Sequence, residues 1–247
     1  MNKVRSSWRN ATRPRAKILA MASKTGGTEP TSVYLEMGKK RVFACALDWP
    51  GWCRSGKTEQ LALEALAEYV PRYAEVAKQA RIAFPKAAGD LLRVVEQLPG
   101  SATTDFGAPG EAAASDAKPL RGAEAERITA LVRASWAVFD RIAADTPEQL
   151  RKGPRGGGRD RDKMIGHVLG AEAAYARKLG IKHRQPAIDD QDAIAALRDE
   201  IAAVLAAPSK GTPLVPKGWL PRYAARRVAW HVLDHAWEMQ DRTEPAD

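Results

Sequence analysis

The sequence predicts an α+β protein in which a small module of strands and helices precedes an all-α bundle of four helices. Two observations lead to this prediction. Strand-like alternation is confined to the first part of the chain, and helical periodicity fills the second half, beyond a stretch rich in glycine, alanine, serine and proline. With 247 residues, 45% of them hydrophobic, the chain can form two domains with separate cores. The predicted segments are a basic tail, an α+β module, a linker and a bundle, at residues 1–30, 31–98, 99–120 and 121–247.

The net charge of +9 is concentrated at the start of the chain. Six basic residues precede Met21 with no acid among them: Lys3, Arg5, Arg9, Arg13, Arg15 and Lys17. Without them the net charge falls to +3, so the remainder is only mildly basic. Such composition is found in nucleic-acid-binding tails and targeting peptides, but also in plain disordered tails. We favour the disordered tail, or translation from Met21, and expect no nucleic-acid partner.

The expected cellular compartment follows from the lack of long apolar runs and from the spacing of the cysteines. No stretch approaches the ~18–20 apolar residues that span a bilayer, and no apolar run in the tail marks a secretory signal. The two cysteines, Cys45 and Cys53, match neither a CxxC redox motif nor a zinc-knuckle spacing. We therefore expect a cytoplasmic protein with reduced thiols and no membrane partner.

The first strands are predicted at 33–37 and 41–47, with a hairpin turn between them, and a further strand at 91–95. In the last strand, either Leu92 and Val94 or Leu91 and Val95 face the covered side of the sheet. Thr58 is placed to cap a helix whose apolar residues recur at helical spacing. Pro71 should interrupt or kink that helix.

Four segments after the linker have helical periodicity, at about 121–145, 160–180, 189–207 and 220–242. Stretches containing proline or glycine separate them. Four helices of similar length with short to medium connections predict a four-helix bundle.

Three of the four histidines lie in these helices. His231 and His235 are four residues apart, which stacks their imidazoles on one helix face, and a bundle can bring His167 opposite them. Three neutral imidazoles leave coordination positions open, as catalytic metal sites require. The competing interpretation is an ordinary surface pair and a core histidine. No glutamate lies between the pair, so this is not the HExxH motif of zinc proteases.

Two acids share the face of the histidine pair. Asp234 or Glu238 could orient an imidazole by accepting its second N–H.

The glycine-rich loop at 156–163 leads into the His167 helix. Such a loop can bind an anion, which makes Arg159, Arg161 and Lys163 candidate substrate-binding residues. The interpretation that we prefer is that Asp160 or Asp162 stabilises the helix start through the helix dipole.

The motifs His167-Val168-Leu169-Gly170-Ala171-Glu172 and His231-Val232-Leu233-Asp234-His235 carry a resemblance. With their order and spacing, residues 121–242 resemble the DinB/YfiT-like superfamily, which includes mycothiol- and bacillithiol-dependent transferases. The resemblance implies a four-helix bundle whose three histidines hold zinc, nickel or another divalent ion. It further implies that a metal-activated thiol or water attacks an electrophilic small-molecule substrate, with a low-molecular-weight thiol as cosubstrate in the transferase case.

The stretch Asp48-Trp49-Pro50-Gly51-Trp52-Cys53-Arg54-Ser55-Gly56 resembles the DxPGCxSxG-like loop of the HicB-type antitoxin domain. That resemblance implies a small α+β fold. Trp52 is inserted before Cys53, and no recognisable DNA-binding helix pair or ribbon follows, so the resemblance predicts the fold rather than toxin neutralisation or operator binding.

The leading functional prediction is a metal-dependent thiol transferase or hydrolase. The alternative is a non-enzymatic stress or regulatory protein whose HicB-like module binds a protein partner. Trp49 and Trp52 could form its contact patch, although we expect them to pack inside, with Cys53 as a small buried residue.

Overall fold

The structure, a computed structural model, describes residues 29–152 and 158–243. The predicted disordered tail therefore lies outside the described residues, apart from its last two. The α+β fold class is confirmed: a four-stranded sheet occupies the first part of the chain, and long helices fill the second. The strands are β1 (Thr31–Met37), β2 (Val42–Ala46), β3 (Cys53–Gly56) and β4 (Leu92–Pro99). The helices are α1 (Glu59–Glu68), α2 (Val70–Gln79), α3 (Ala102–Phe106), α4 (Gly122–Asp145), α5 (Arg161–Lys178), α6 (Gln191–Ala206) and α7 (Pro221–Arg242), with a 3-10 helix at Ala114–Ala117.

The sheet has the strand order β3-β2-β1-β4. β1 pairs antiparallel with β2 through the predicted hairpin, and parallel with β4, so β1 lies inside the sheet. The prediction of a strand near 91–95 is confirmed, although β4 continues to Pro99. Its Leu92 and Val94 are half-buried whereas Val95 is 47% exposed, which selects the first of the two predicted faces.

The short strand β3 was not predicted. Its four residues, Cys-Arg-Ser-Gly, contain no alternation of apolar and polar side chains, which is the usual signal of a strand. It forms because β2 offers a paired edge, with Val42 opposite Gly56 and Cys45 opposite Cys53. The stretch that resembles the antitoxin motif therefore contains both a loop and the strand β3 before α1 begins.

The two tryptophans of that loop are packed inside, as expected. Trp52 is fully buried, and its indole N–H donates to the carbonyl oxygen of Leu66 over 2.9 Å. Trp49 is half-buried and packs edge-on against Tyr73 and Phe84. Aromatic pairs of this kind anchor the loop beneath α1 and α2.

The helices α1 and α2 begin where the sequence signals indicated. The Thr58 hydroxyl accepts a hydrogen bond from the backbone N–H of Leu61 over 3.3 Å, which caps α1. The interruption predicted at Pro71 is confirmed, because α1 ends at Glu68 and Pro71 lies in the first turn of α2. Proline is tolerated there since the first N–H groups of a helix have no partner inside it.

Residues 99–120 contain α3 and the 3-10 helix, and buried polar groups hold this segment in place. The buried carboxylate of Glu36 in β1 accepts hydrogen bonds from the Thr104 hydroxyl and from the backbone N–H groups of Gly110 and Glu111, the latter two at 2.9 and 3.0 Å. The carboxylate of Asp116 forms a buried ion pair with Arg226 of α7. The segment therefore packs against both the sheet and the bundle, while its role as a domain boundary stays a prediction.

The four long helices follow the four predicted segments closely. α7 runs through the centre, and most of its residues are buried, including Val228, Val232 and Leu233. One continuous hydrophobic cluster joins this helix to sheet residues such as Val33 and Leu35. Within the described residues, no helix combines the length and apolar character needed to cross a membrane.

Candidate metal centre

The three predicted ligand histidines meet between α5 and α7. His231 and His235 lie one turn apart on α7 and are buried, whereas His167 on α5 is half-buried. The distances between ring centroids are 5.1 Å from His167 to His231, 4.9 Å from His167 to His235 and 4.7 Å from His231 to His235. The packing of α5 on α7 has therefore brought together side chains that are 64 residues apart in the sequence.

The separation of the ring nitrogens suits a metal ion. One nitrogen from each histidine can be chosen so that all three lie within 4.8 Å of one another. The Nε2 atoms of His167 and His231 are 3.3 Å apart. Two nitrogens bound tetrahedrally to zinc at about 2.0–2.1 Å are separated by about 3.3–3.4 Å. This pair thus already has the spacing of two ligands of one ion.

A carboxylate orients one of the three imidazoles. Glu238 Oε2 lies 3.0 Å from His235 Nδ1, and its other oxygen accepts a hydrogen bond from Arg242 over 2.9 Å. The hydrogen bond from His235 is the main reason that the pKa of Glu238 is lowered. With Nδ1–H donated to the carboxylate, His235 keeps the lone pair of Nε2 for a metal ion.

The other two imidazoles are neutral near neutral pH. Burial is the largest cause that lowers the pKa of His167 to about 4, followed by the electrostatic effect of His235. Burial is also the largest cause of a pKa of His231 that lies well below its ordinary value. Neutral imidazoles are the form that binds metal ions, so the site needs little proton release to bind one. Among the described residues, the buried Nδ1 of His231 has no hydrogen-bond partner.

Asp234, the second acid predicted to orient an imidazole, points to the sheet instead. Its carboxylate accepts a hydrogen bond from Arg54 of β3 over 2.9 Å. The Arg54 guanidinium also lies over the ring of Tyr69 at 4.0 Å and faces Trp237 at 5.6 Å. Asp234 therefore attaches α7 to the sheet, and Glu238 is the acid in contact with a histidine.

The candidate substrate residues before His167 have separate surroundings. Gly156 and Gly157 of the predicted loop lie outside the described residues. Arg161 donates to Asp162 over 2.8 Å and to the carbonyl oxygen of Thr146 over 3.1 Å, while Lys163 is exposed. Arg159 is exposed, and its charge contributes to the lowered pKa values of His167 and His231. Of the three, Arg159 is therefore the one whose charge reaches the histidines.

Both acids that were predicted to stabilise the start of α5 lie there, Asp160 at the N-cap position and Asp162 in the first turn. The side chain of Asp160 makes no capping hydrogen bond to that helix. Its carboxylate instead accepts hydrogen bonds from Lys152 over 2.7 Å and from the backbone N–H of Leu150 over 3.2 Å. Asp160 thus joins the start of α5 to the preceding segment.

An aromatic wall beside the histidines was not predicted. The Tyr175 ring lies edge-on to His231 at 5.7 Å, and Trp219 packs on Tyr175 at 4.9 Å. Arg227 lies 5.6 Å from the Tyr175 ring centre. The sequence could have indicated Arg227, because it lies four residues before His231 and therefore on the same face of the helix. The position of Trp219 depends on the fold of a loop and had no sequence signal.

Comparison of the chain with protein-family models, curated proteins and solved structures finds no match. Three neutral or carboxylate-oriented imidazoles, clustered at the spacing of metal ligands, are compatible with a divalent metal ion.

Proposed function

We propose that this chain is a metal-dependent enzyme that holds zinc or nickel on His167, His231 and His235 and transfers a thiol, or water, to a small electrophilic substrate. The observation that carries the proposal is the convergence of three ring nitrogens from two helices within 4.8 Å. A histidine-only set leaves coordination positions open to a substrate, as in catalytic rather than structural zinc sites.

The reaction class rests on the resemblance to the DinB/YfiT-like superfamily. The order of elements supports it, since His167 lies on the second long helix of the bundle and the HxxxH pair lies on the last. Held by these residues, a divalent ion supplies Lewis acidity, which lowers the pKa of a thiol or a water.

The surrounding residues have definable tasks in this proposal. Glu238 fixes the tautomer of His235, and Arg242 holds Glu238 in position. Arg159 and Arg227 place positive charge near the histidines, which favours an anionic thiol cosubstrate or substrate. Tyr175 and its aromatic neighbours limit the access of water on one side of the site.

Metal analysis of the purified full chain tests the proposal. We expect one equivalent of zinc or nickel in the wild type and in His183→Ala, because His183 lies in the loop after α5. His231→Ala should lose the metal while its circular dichroism spectrum is retained. Metal content equal in both variants would contradict the ligand assignment.

A second assay separates transfer from hydrolysis. The metal-loaded chain is incubated with a chloronitrobenzene electrophile and a panel of low-molecular-weight thiols, and with a nitrophenyl ester in their absence. We expect thiol consumption or ester hydrolysis that disappears in His231→Ala. A metal-loaded chain that accelerates neither reaction would favour the non-enzymatic alternative.

That alternative has one observation in its favour. Phe106 on α3 is 92% exposed, and Leu91 and Val95 at β4 are about half exposed, at 51% and 47%. Exposed apolar side chains of this kind on the N-terminal part would suit a protein partner. A pull-down with Phe106→Asp as the matched variant would test whether such a partner binds there.

A further inference from the structure

The two cysteines of the chain face each other across neighbouring strands. Cys45 in β2 is directly opposite Cys53 in β3. The next pair along the ladder, Ala46 and Trp52, carries a backbone hydrogen bond of 3.0 Å. Hydrogen-bonded and non-hydrogen-bonded pairs alternate in antiparallel sheets, so the cysteines occupy a non-hydrogen-bonded pair. In such pairs the Cα atoms are about 4.5 Å apart, which is within the range that disulfides span.

Both thiols point to the same side of the sheet. They share a buried cluster with Tyr34, Phe43 and Trp230, and their sulfur atoms are in direct contact at 2.6 Å. Both are free thiols. Because the chain has only these two cysteines, no other thiol of the same chain competes for either one.

One of the two cysteines borders a cleft. Cys53 contributes to a cleft of about 310 Å³ together with Arg54, Trp230, Asp234 and Glu238. Cys45 does not line this cleft and is 2% exposed, against 4% for Cys53. A small reagent would therefore reach Cys53 first, with Cys45 behind it as the second thiol.

We propose that Cys45 and Cys53 are a modification site, which closes to an intrachain disulfide when a low-molecular-weight disulfide acts as oxidant. The Cys53 sulfur, as thiolate, attacks one sulfur of the oxidant, whose S–S bond breaks to release one thiol. The Cys45 sulfur then attacks Cys53 and displaces the second thiol. The cysteine pair loses two electrons, the oxidant gains them, and the two cysteine protons end on the released thiols.

Closure would stabilise the loop that contacts the histidine helix. The disulfide encloses residues 46–52, and Gly51 of this loop packs closely on Ala229 and Leu233 of α7. Burial raises the pKa of the Cys53 thiol, so the exchange is slower than at an exposed cysteine. The proposal is independent of any metal bound by the histidines.

The test uses the reduced full chain with a chelator present throughout, incubated with oxidised glutathione and then alkylated with iodoacetamide in urea, so that any thiol left free reacts. A parallel sample is unfolded in urea and refolded with the same oxidant, so that burial of the thiols does not decide the result. We expect a mass lower by two hydrogen atoms with no alkylation. We also expect a melting temperature higher by roughly 5–10 °C, because the bond restricts the unfolded chain, and the short loop keeps the gain modest. Dithiothreitol should reverse both changes.

Cys45→Ser is the matched control. It keeps Cys53 but cannot close the ring, so it should show an alkylated thiol or a glutathione adduct without the gain in melting temperature. Three results for the wild type would overturn the proposal: two alkylated cysteines after both protocols, a disulfide-linked dimer, or an intrachain bond that lowers the melting temperature.

Discussion

Glu238 allows the sharpest test of the metal centre. It lies three residues after His235, with one oxygen 3.0 Å from the imidazole Nδ1 and the other 2.9 Å from Arg242. The substitution Glu238→Gln keeps the shape of the side chain. In a glutamine one of these two oxygens is replaced by an NH2 group that donates, so either His235 or Arg242 loses the acceptor that it has in the wild type.

The expected effect is on metal affinity. Loss of the carboxylate that orients a ligand imidazole typically weakens metal binding 10–100-fold, which corresponds to about 1.4–2.7 kcal/mol. The same helix offers a matched control in Asp234→Asn. Asp234 precedes His235 directly, but its carboxylate binds Arg54 of the sheet. We expect the Kd of Asp234→Asn to stay close to that of the wild type.

The assay is a competition titration of the metal-free chain with Zn²⁺ against a chromophoric chelator at constant pH. Thermal melting of each metal-free variant shows whether a change in Kd comes from a damaged fold. The reasoning is refuted if Glu238→Gln binds zinc as tightly as the wild type. It is also refuted if Asp234→Asn weakens zinc binding as much as Glu238→Gln does.

Three further predictions concern stability. Asp116→Asn should cost about 3–5 kcal/mol in urea unfolding, because Arg226 stays buried without its charge partner. As a control, Glu124→Gln breaks the more exposed ion pair between Glu124 and Arg222 and should cost about 1 kcal/mol or less; equal losses in the two variants would contradict this reasoning. Gly51→Ala should cost roughly 1–3 kcal/mol, since the residue has a φ of +93° and an added Cβ would lie 2.7 Å from a leucine of α7; an unchanged urea midpoint would count against it. The metal-free chain should lose stability as the pH falls from about 6.5 toward 4. The pKa of His167 is lowered in the folded chain, so in this range the unfolded chain binds a proton that the folded chain does not bind. Urea midpoints at about pH 7 and pH 5 check this, and His167→Gln should reduce the difference.

The fold could be predicted where local signals agree with the final structure. The four long helices have strong apolar periodicity and are separated by proline or glycine, so their positions follow from neighbours in the sequence. Thr58 and Pro71 act within a single turn and were equally predictable. β3 was missed because its pairing with β2, rather than its composition, makes it a strand.

The segment at 99–120 shows why composition alone is insufficient. Glycine, alanine and proline are typical of a linker, but they say nothing about partners far along the chain. Glu36 in β1 binds Gly110 and Glu111, and Arg226 binds Asp116 from 110 residues away. The one sign in the sequence was Glu36, an acid within a predicted strand, because a buried carboxylate needs hydrogen-bond donors from another segment.

At the candidate site, helical spacing predicted which residues share a face but not which neighbours they meet. The convergence of the three histidines followed from motif order and bundle topology. The choice between Asp234 and Glu238 did not, because it is decided by Arg54, which is 180 residues away from Asp234. Tyr175 and Trp219 likewise depend on loop structure.

Two arginine contacts on α7 have a consequence for how the helix is held. Arg226 is fixed by Asp116, and Asp234 is fixed by Arg54. These anchor points are about 12 Å apart along the helix axis, and successive residues turn by about 100°. Both ion pairs join α7 to the N-terminal part of the chain. Together they oppose rotation of α7 about its own axis. His231 lies between these two ion pairs and is thereby held facing α5. The N-terminal part of the chain therefore helps to orient the imidazoles.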